Sequence, residues 1–172
     1  MLQGLAPLPA PGARVLVLGS MPGAQSLTEQ RYYAHPRNAF WPIIEQLTGV
    51  AAAWPYAERI ARLPETGIAL WDVVAQCVRP GSLDQRIRAD SVQVNDFEEL
   101  FRCCPRIERI VFNGQTAARL YARHVLPTLP ETFAAIERAV APSTSPAHAA
   151  MDFEAKCSAW QRALDGSIVP VA

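Results

Sequence analysis

The sequence predicts an α/β domain built on a parallel sheet of four short strands. Three observations lead there. Four apolar runs recur along the 172 residues. Each is closed by a turn signal, and each is followed by a stretch with helical spacing, the rhythm of parallel strands joined by crossover helices. The length and the 50% hydrophobic content suit one well-buried domain, expected over residues 1–172, rather than two.

Met1 to Pro11 is apolar but holds three prolines and no basic stretch, so it reads as an extended lead-in and not a signal peptide. Val15 to Leu18 is the first strand, closed by Gly19. Phe40 to Leu47 then puts Phe40, Ile43, Ile44 and Leu47 on one helical face, with Pro42 tolerated in the first turn. A second helical stretch covers Tyr56 to Leu63. The second strand, Ile68 to Trp71, is closed by Asp72, and helix Phe97 to Cys103 leads to the third, Ile107 to Phe112, closed by Asn113-Gly114. Helix Thr116 to Val125 follows. The fourth strand, Ala139 to Ala141, has Glu137 and Arg138 beside it, as a sheet edge would. The last helix is expected over Ala149 to Leu164, where Phe153, Cys157, Trp160 and Leu164 share a face and Gly166 supplies the stop.

Composition narrows the function classes. Sixteen basic and sixteen acidic residues cancel, so no global field points to nucleic acid, a membrane or an acidic substrate. Every basic residue except Lys156 is arginine, which coding bias explains better than selection for phosphate contacts. Cys77, Cys103, Cys104 and Cys157 form no CxxC pair, and with no acidic triad or HExxH spacing no metal site is expected. Reduced thiols and the absence of a membrane-length apolar run predict a cytoplasmic protein that needs no membrane.

In a parallel sheet, ligands gather beyond the carboxyl ends of the strands. After the first strand, Gly19-Ser20-Met21-Pro22-Gly23 is a tight turn that could aim several N–H groups at an anion, although it lacks the spacing of a dinucleotide or P-loop motif. Next comes Tyr32-Tyr33-Ala34-His35-Pro36-Arg37-Asn38-Ala39-Phe40-Trp41, a concentration of aromatics and polar groups ahead of a helix. Asn38 could cap that helix, with Phe40 and Trp41 in the core; such a cap leaves the cost of so many large side chains in a loop unexplained. Asn113 could present a donor and an acceptor to a planar ring, or simply turn the chain before Gly114. Pro142-Ser143-Thr144-Ser145-Pro146-Ala147-His148 offers hydroxyls suited to phosphates, and Ser145 could equally cap the last helix.

Taken together, these loops resemble the uracil-DNA glycosylase superfamily, and most closely its hypoxanthine (deoxyinosine) DNA glycosylase branch. The resemblance rests on Gly19 to Gly23, Ser26-Leu27, Tyr32-Tyr33, His35-Pro36, Asn38, Phe40-Trp41, Gly67 to Val74, Gly81 to Asp84, Phe112 to Gly114 and Pro142 to Ala147. It implies a three-layer α/β/α fold with a DNA groove across the strand ends and a pocket for one extruded base. It also implies roles. Asn38 would hold the attacking water and Phe40 would stack on the base. Gly19, Ser20 and Met21 would receive the charge of the departing base through their backbone, and Asn113 would read its amide-like edge. Arg37, Ser143, Thr144, Ser145, Ala147 and His148 would engage DNA.

Two departures matter. Mismatch-uracil enzymes of the superfamily carry an asparagine in the first motif, where this chain has Met21, which cannot orient water. The strongest uracil enzymes carry a histidine in the fourth-strand loop, where this chain has Ser143, Thr144 and Ser145. Deoxyinosine is therefore the expected substrate, excised by a monofunctional enzyme without cofactor; no lysine lies in the four loops to form a Schiff base. The alternatives are a uracil or mismatch-uracil glycosylase, or a catalytically silent DNA-binding module of the same fold. A small-molecule nucleosidase is opposed by the lack of an acidic cluster. A monomer acting on DNA that contains a deaminated base is expected.

Overall fold

Valine- and isoleucine-rich runs of five residues are too short for helices and pair instead as strands. The computed structural model describes residues 1–171; Ala172, the last residue of the expected domain, lies outside the described residues. The chain runs β1 (Leu2–Gln3), β2 (Val15–Gly19), α1 (Ala24–Glu29), α2 (Phe40–Thr48), α3 (Tyr56–Arg62), β3 (Ile68–Asp72), β4 (Val74–Cys77) and β5 (Gln93–Val94). It continues through α4 (Phe97–Cys103), β6 (Arg109–Asn113), α5 (Gln115–His124), α6 (Glu131–Ala134), β7 (Glu137–Ala141) and α7 (Phe153–Leu164).

The main sheet has the order β3-β2-β6-β7, with every pair parallel. All residues of β2 and β3 are buried, as strands covered on both faces must be. The expected edge strand is indeed the edge, and it exposes Glu137 and Arg138 to water. Register aligns Trp71, Leu18 and Phe112 in one row. Trp71 packs on Phe97 of α4, and Phe112 on Tyr121 of α5. A separate aromatic group joins Tyr33, Phe40 and Trp41 of α2, and Trp160 of α7. Among the described residues no aromatic pair links the two groups, as expected if helices cover both faces of the sheet in three α/β/α layers.

Three features depart from the sequence expectation. A second, antiparallel sheet of order β1-β4-β5 flanks the first, so the lead-in is partly a strand, with Leu2 opposite Cys77. The short α1 and α6 were not anticipated. The last helix starts at Phe153 rather than Ala149, because the Asp152 carboxylate accepts the Ala155 N–H at 2.8 Å and caps it there. Ser145 is thus not its cap.

The topology fixes where a ligand can sit. From β2 the chain crosses to β3 on one side, and from β6 it crosses to β7 on the other. The loops after β2 and β6 therefore diverge and open a crevice at the strand ends.

Candidate active site

A cavity of about 690 Å³ fills that crevice. Its wall includes the Gly19–Gly23 loop, Tyr33, His35, Asn38, Asp72, Asp84, Asn113 and the Ser143–His148 loop. Of the residues singled out from sequence, Gly19, Ser20, Met21, Asn38, Asn113, Ser143, Thr144, Ser145, Ala147 and His148 all border it, whereas Arg37 and Phe40 do not.

Asn38 stands just ahead of α2. Its Oδ1 accepts the Phe40 N–H at 3.0 Å, which fixes the amide plane, while among the described residues its NH2 has no protein partner. The cap position of α2 is Ala39 rather than Asn38, so the Asn38 side chain closes a turn just ahead of the helix instead of capping it. A carbonyl oxygen has a second lone pair, which leaves the amide able to hold a water.

Phe40 corrects the expected stacking role. It has no exposed surface and lies outside the pocket wall. It stacks on Tyr33 with ring centroids 4.1 Å apart, and meets Trp41 and Trp160 edge-on. An aromatic ring that does border the pocket in this loop is that of Tyr33. Its backbone is left-handed, with φ of 54°, a conformation that costs a bulky L-residue roughly 1–2 kcal/mol. The Tyr33 hydroxyl is buried without a partner at full hydrogen-bonding geometry, and burial raises its pKa, the neighbouring Asp72 charge adding to the effect and the nearby Asn113 amide opposing it.

Asp72 ends β3 beneath the same wall. Its residue is 4% exposed and its Oδ2 has no partner. Burial, reinforced by the charge of Asp84 and opposed by Arg79, pushes its pKa up to about 7. Its other oxygen lies so close over Gly19 that a Cβ there would overlap it, and that Cβ would also come within 3.3 Å of the Tyr33 hydroxyl. Only glycine fits this position. Asp84 is likewise raised by burial, with the Ser20 hydroxyl that donates to it and the Arg79 charge pulling the other way.

Arg79 organises the loop. Its guanidinium is fully buried, lies 3.6 Å from Asp84 Oδ1, and donates to the carbonyls of Gly81, Met21 and Pro22. Those bonds tie the Gly19–Gly23 turn to the segment after β4. Among the described residues the N–H groups of Ser20, Met21 and Gly23 have no protein acceptor. Backbone donors without a protein acceptor beside a pocket suit a developing negative charge. The Ser20 side chain itself is committed to Asp84, and the Met21 side chain is buried against Val74 and Cys77, so any contribution from either to a ligand is through the backbone.

Asn113 and Thr144 also depart from expectation. Asn113 Nδ2 donates to Thr144 Oγ1 at 2.8 Å, and Asn113 Oδ1 accepts the Thr144 N–H at 2.9 Å. One donor and one acceptor of the amide are thus spent on pinning the fourth-strand loop, which leaves a residual capacity of one each. Thr144 is 1% exposed and cannot reach a phosphate in this arrangement. The same loop is held by Thr144 O accepting the Ala39 N–H at 3.0 Å, and by Gly114, where a Cβ would press on Ser143 at 3.1 Å. Ser143 Oγ accepts the Ser145 N–H and Ser145 Oγ accepts the Ala147 N–H, each at 3.2 Å, so both hydroxyl protons remain available. Ala147 is exposed and His148 half-buried with its Nδ1 unpartnered. Lys156, buried in α7 with its pKa lowered by burial, donates to the His148 carbonyl at 2.7 Å and braces the loop from behind. Arg37 is exposed beside Asn38 and pairs with no carboxylate among the described residues.

Sequence reasoning passed over Tyr33, Asp72, Arg79 and Asp84 as working parts. The available signal was an acidic residue closing an apolar strand. Among the described residues no group of three or more His, Cys, Asp or Glu is placed to hold a metal ion. Nor is any helix among them long and apolar enough to cross a membrane.

The chain belongs to the uracil DNA glycosylase superfamily, whose family model matches residues 7–165. It is similar to a hypoxanthine DNA glycosylase of Methanosarcina barkeri, 32% identical over 114 residues that cover 66% of this chain and 71% of the relative. It is also similar to a hypoxanthine DNA glycosylase of Methanosarcina acetivorans, 35% identical over 104 residues, 60% of this chain and 65% of the relative. The solution NMR structure of a candidate uracil DNA glycosylase from Methanosarcina acetivorans superimposes with a TM-score of 0.76 at 30% identity, covering 93% of this chain and 94% of that one.

Proposed function

We propose that the protein is a monofunctional DNA glycosylase that hydrolyses the N-glycosidic bond of deaminated bases, hypoxanthine above all, and so opens base-excision repair. The observation that carries this reading is the pocket itself. An asparagine amide with a free NH2, backbone N–H groups without protein acceptors and two buried, unpartnered polar atoms converge on one cavity. The names of the two similar relatives support hypoxanthine as the base. The candidate uracil enzyme that shares the fold keeps uracil as the second reading.

In the reaction, the bond between the sugar's anomeric carbon and the base breaks with its electron pair leaving on the base. Water supplies the oxygen that bonds to the carbon, and the proton it releases passes through solvent to the base anion, which leaves as the neutral free base. Asn38 holds that water by its second lone pair and NH2, and needs no charge because the sugar already carries oxocarbenium character. The N–H groups of Ser20, Met21 and Gly23 face the departing anion. Tyr33 offers a ring for the extruded base to lie against, and the Tyr33 hydroxyl and Asp72 carboxyl, buried behind that surface, set the polarity of the wall the base meets. Asn113 holds the fourth-strand loop and keeps one donor and one acceptor for the base. Ser143 and Ser145 contact phosphates with Arg37, and Ala147 and His148 press against the minor groove.

All four cysteines are unpaired and three are buried, which suits a reducing compartment, and we place the enzyme in the cytoplasm as a monomeric single domain of residues 1–172. The test is a panel of matched DNA substrates carrying one hypoxanthine, uracil or xanthine each, assayed for released free base. Release of hypoxanthine ahead of uracil, leaving an abasic site in an uncut strand, is the result expected. No free base from any of them would overturn the reading.

A further inference from the structure

Beside the base pocket lies a second cavity of about 270 Å³ whose wall has Asp84 and Thr116 in common with it. Its floor is apolar, formed by Ile87, Val92 and Leu120, which rest on the small core under the antiparallel sheet. One wall is the face of α5 that carries Thr116, Arg119 and Arg123 at helical spacing. Arg119 is steadied by donating to Thr116 Oγ1 at 3.1 Å.

Two of the arginines without a carboxylate partner stand together on this wall. Arg14, Arg62, Arg102 and Arg109 are each ion-paired with a glutamate. Arg119 and Arg123 are exposed and, among the described residues, face no carboxylate partner. The only acid in the described cavity wall is Asp84, whose carboxylate is already engaged by Ser20 and Arg79. Two unpaired guanidinium groups, one helical turn apart on α5, thus stand over an apolar floor beside the larger pocket. That combination complements one chemical object, a nucleotide, whose phosphate is anionic and whose base is flat and apolar on its faces.

Resting on the reading that DNA is the substrate, we propose that this groove is a second nucleotide site. It takes the nucleotide next to the extruded base in the same strand. Arg119 and Arg123 bind its flanking phosphates, and its base lies on Ile87, Val92 and Leu120. The site would hold the lesion strand on one side of the pocket and favour DNA whose flanking nucleotide is free to leave the stack.

The test measures binding of a short fluorescent single strand without any lesion, over a range of salt, by anisotropy. Wild type is compared with R119A/R123A, with R119K/R123K, and with R106A, which removes an exposed arginine before β6 at the far end of the sheet. Losing two single-strand phosphate contacts should flatten the slope of log affinity against log salt by roughly 1.4 and weaken binding roughly tenfold at low salt. The lysine pair should restore the slope, and R106A should leave it unchanged. Equal slopes for wild type and R119A/R123A, or an equal loss in R106A, would overturn the proposal. The outcome separates from the glycosylase reading. A protein that binds through these arginines but releases no base keeps the groove and loses the activity, whereas one that binds no DNA loses both.

Discussion

Replacing Asp72 with asparagine should change how stability depends on pH. In the native protein the carboxyl is buried, one oxygen lacks a partner, and its pKa rises from 3.8 to about 7. The folded state therefore holds this proton more tightly than the unfolded chain does. The penalty of ionising Asp72 starts as pH rises past its unfolded value and is complete once pH exceeds the folded one. At about 1.36 kcal/mol per pH unit, the gap between the two values gives roughly 4 kcal/mol of stability lost between about pH 4 and pH 8 from this residue. An asparagine side chain in its place would be neutral throughout. Urea unfolding of wild type and Asp72→Asn across that range isolates the contribution, because other titrating groups largely cancel in the difference. Stability of the variant relative to wild type should climb by a few kcal/mol from about pH 4 and level off near pH 8. A difference that stays flat would mean that Asp72 is not a desolvated carboxyl, and the electrostatics assigned to this wall would be wrong.

Phe40→Ala should cost about 3–5 kcal/mol of stability, because it removes a fully buried ring at the centre of an aromatic cluster. Thermal melts check this, and a variant that melts normally but binds lesion DNA poorly would return Phe40 to the stacking role. Tyr33→Phe deletes an unpartnered buried hydroxyl and should stabilise the free protein by about 1 kcal/mol or more while slowing base release. An unchanged melt with unchanged turnover would remove Tyr33 from the site. Base release should be the same with and without a chelator, since the reaction as derived uses only amide, backbone and water; loss of turnover that added metal restores would contradict it.

Much of the fold was legible because each strand of the main sheet contains a short apolar run with a turn signal behind it, even in β7, where Glu137 and Arg138 precede it. Val15 to Gly19 could be read that way without tertiary information. β1, β4 and β5 could not, since Leu2–Gln3 and Gln93–Val94 are two-residue strands whose pairing depends on long-range register. The start of α7 was misplaced because periodicity extends back through Ala149, whereas the cap that decides the boundary is the single side chain of Asp152. In the site, the residue types at Gly19, Asn38 and Asn113 pointed to loops that border the cavity. What sequence could not supply was occupancy: Asn113 is largely committed to Thr144, and Phe40 is hidden behind Tyr33. The Asp72, Asp84 and Arg79 group joins segments that only the folded chain brings together, and the desolvation that raises Asp72 is a property of burial.

The water-holding role of Asn38 stands or falls on single-turnover release of free hypoxanthine from a deoxyinosine-containing strand, compared between wild type and Asn38→Ala with lesion-DNA affinity measured alongside. Wild type should release the base. The alanine variant should do so at least ~100-fold more slowly, a barrier increase of about 2.7 kcal/mol, while its affinity stays within a few-fold. Equal release rates in the two proteins, or no release by wild type, would contradict both the role and the activity built on it.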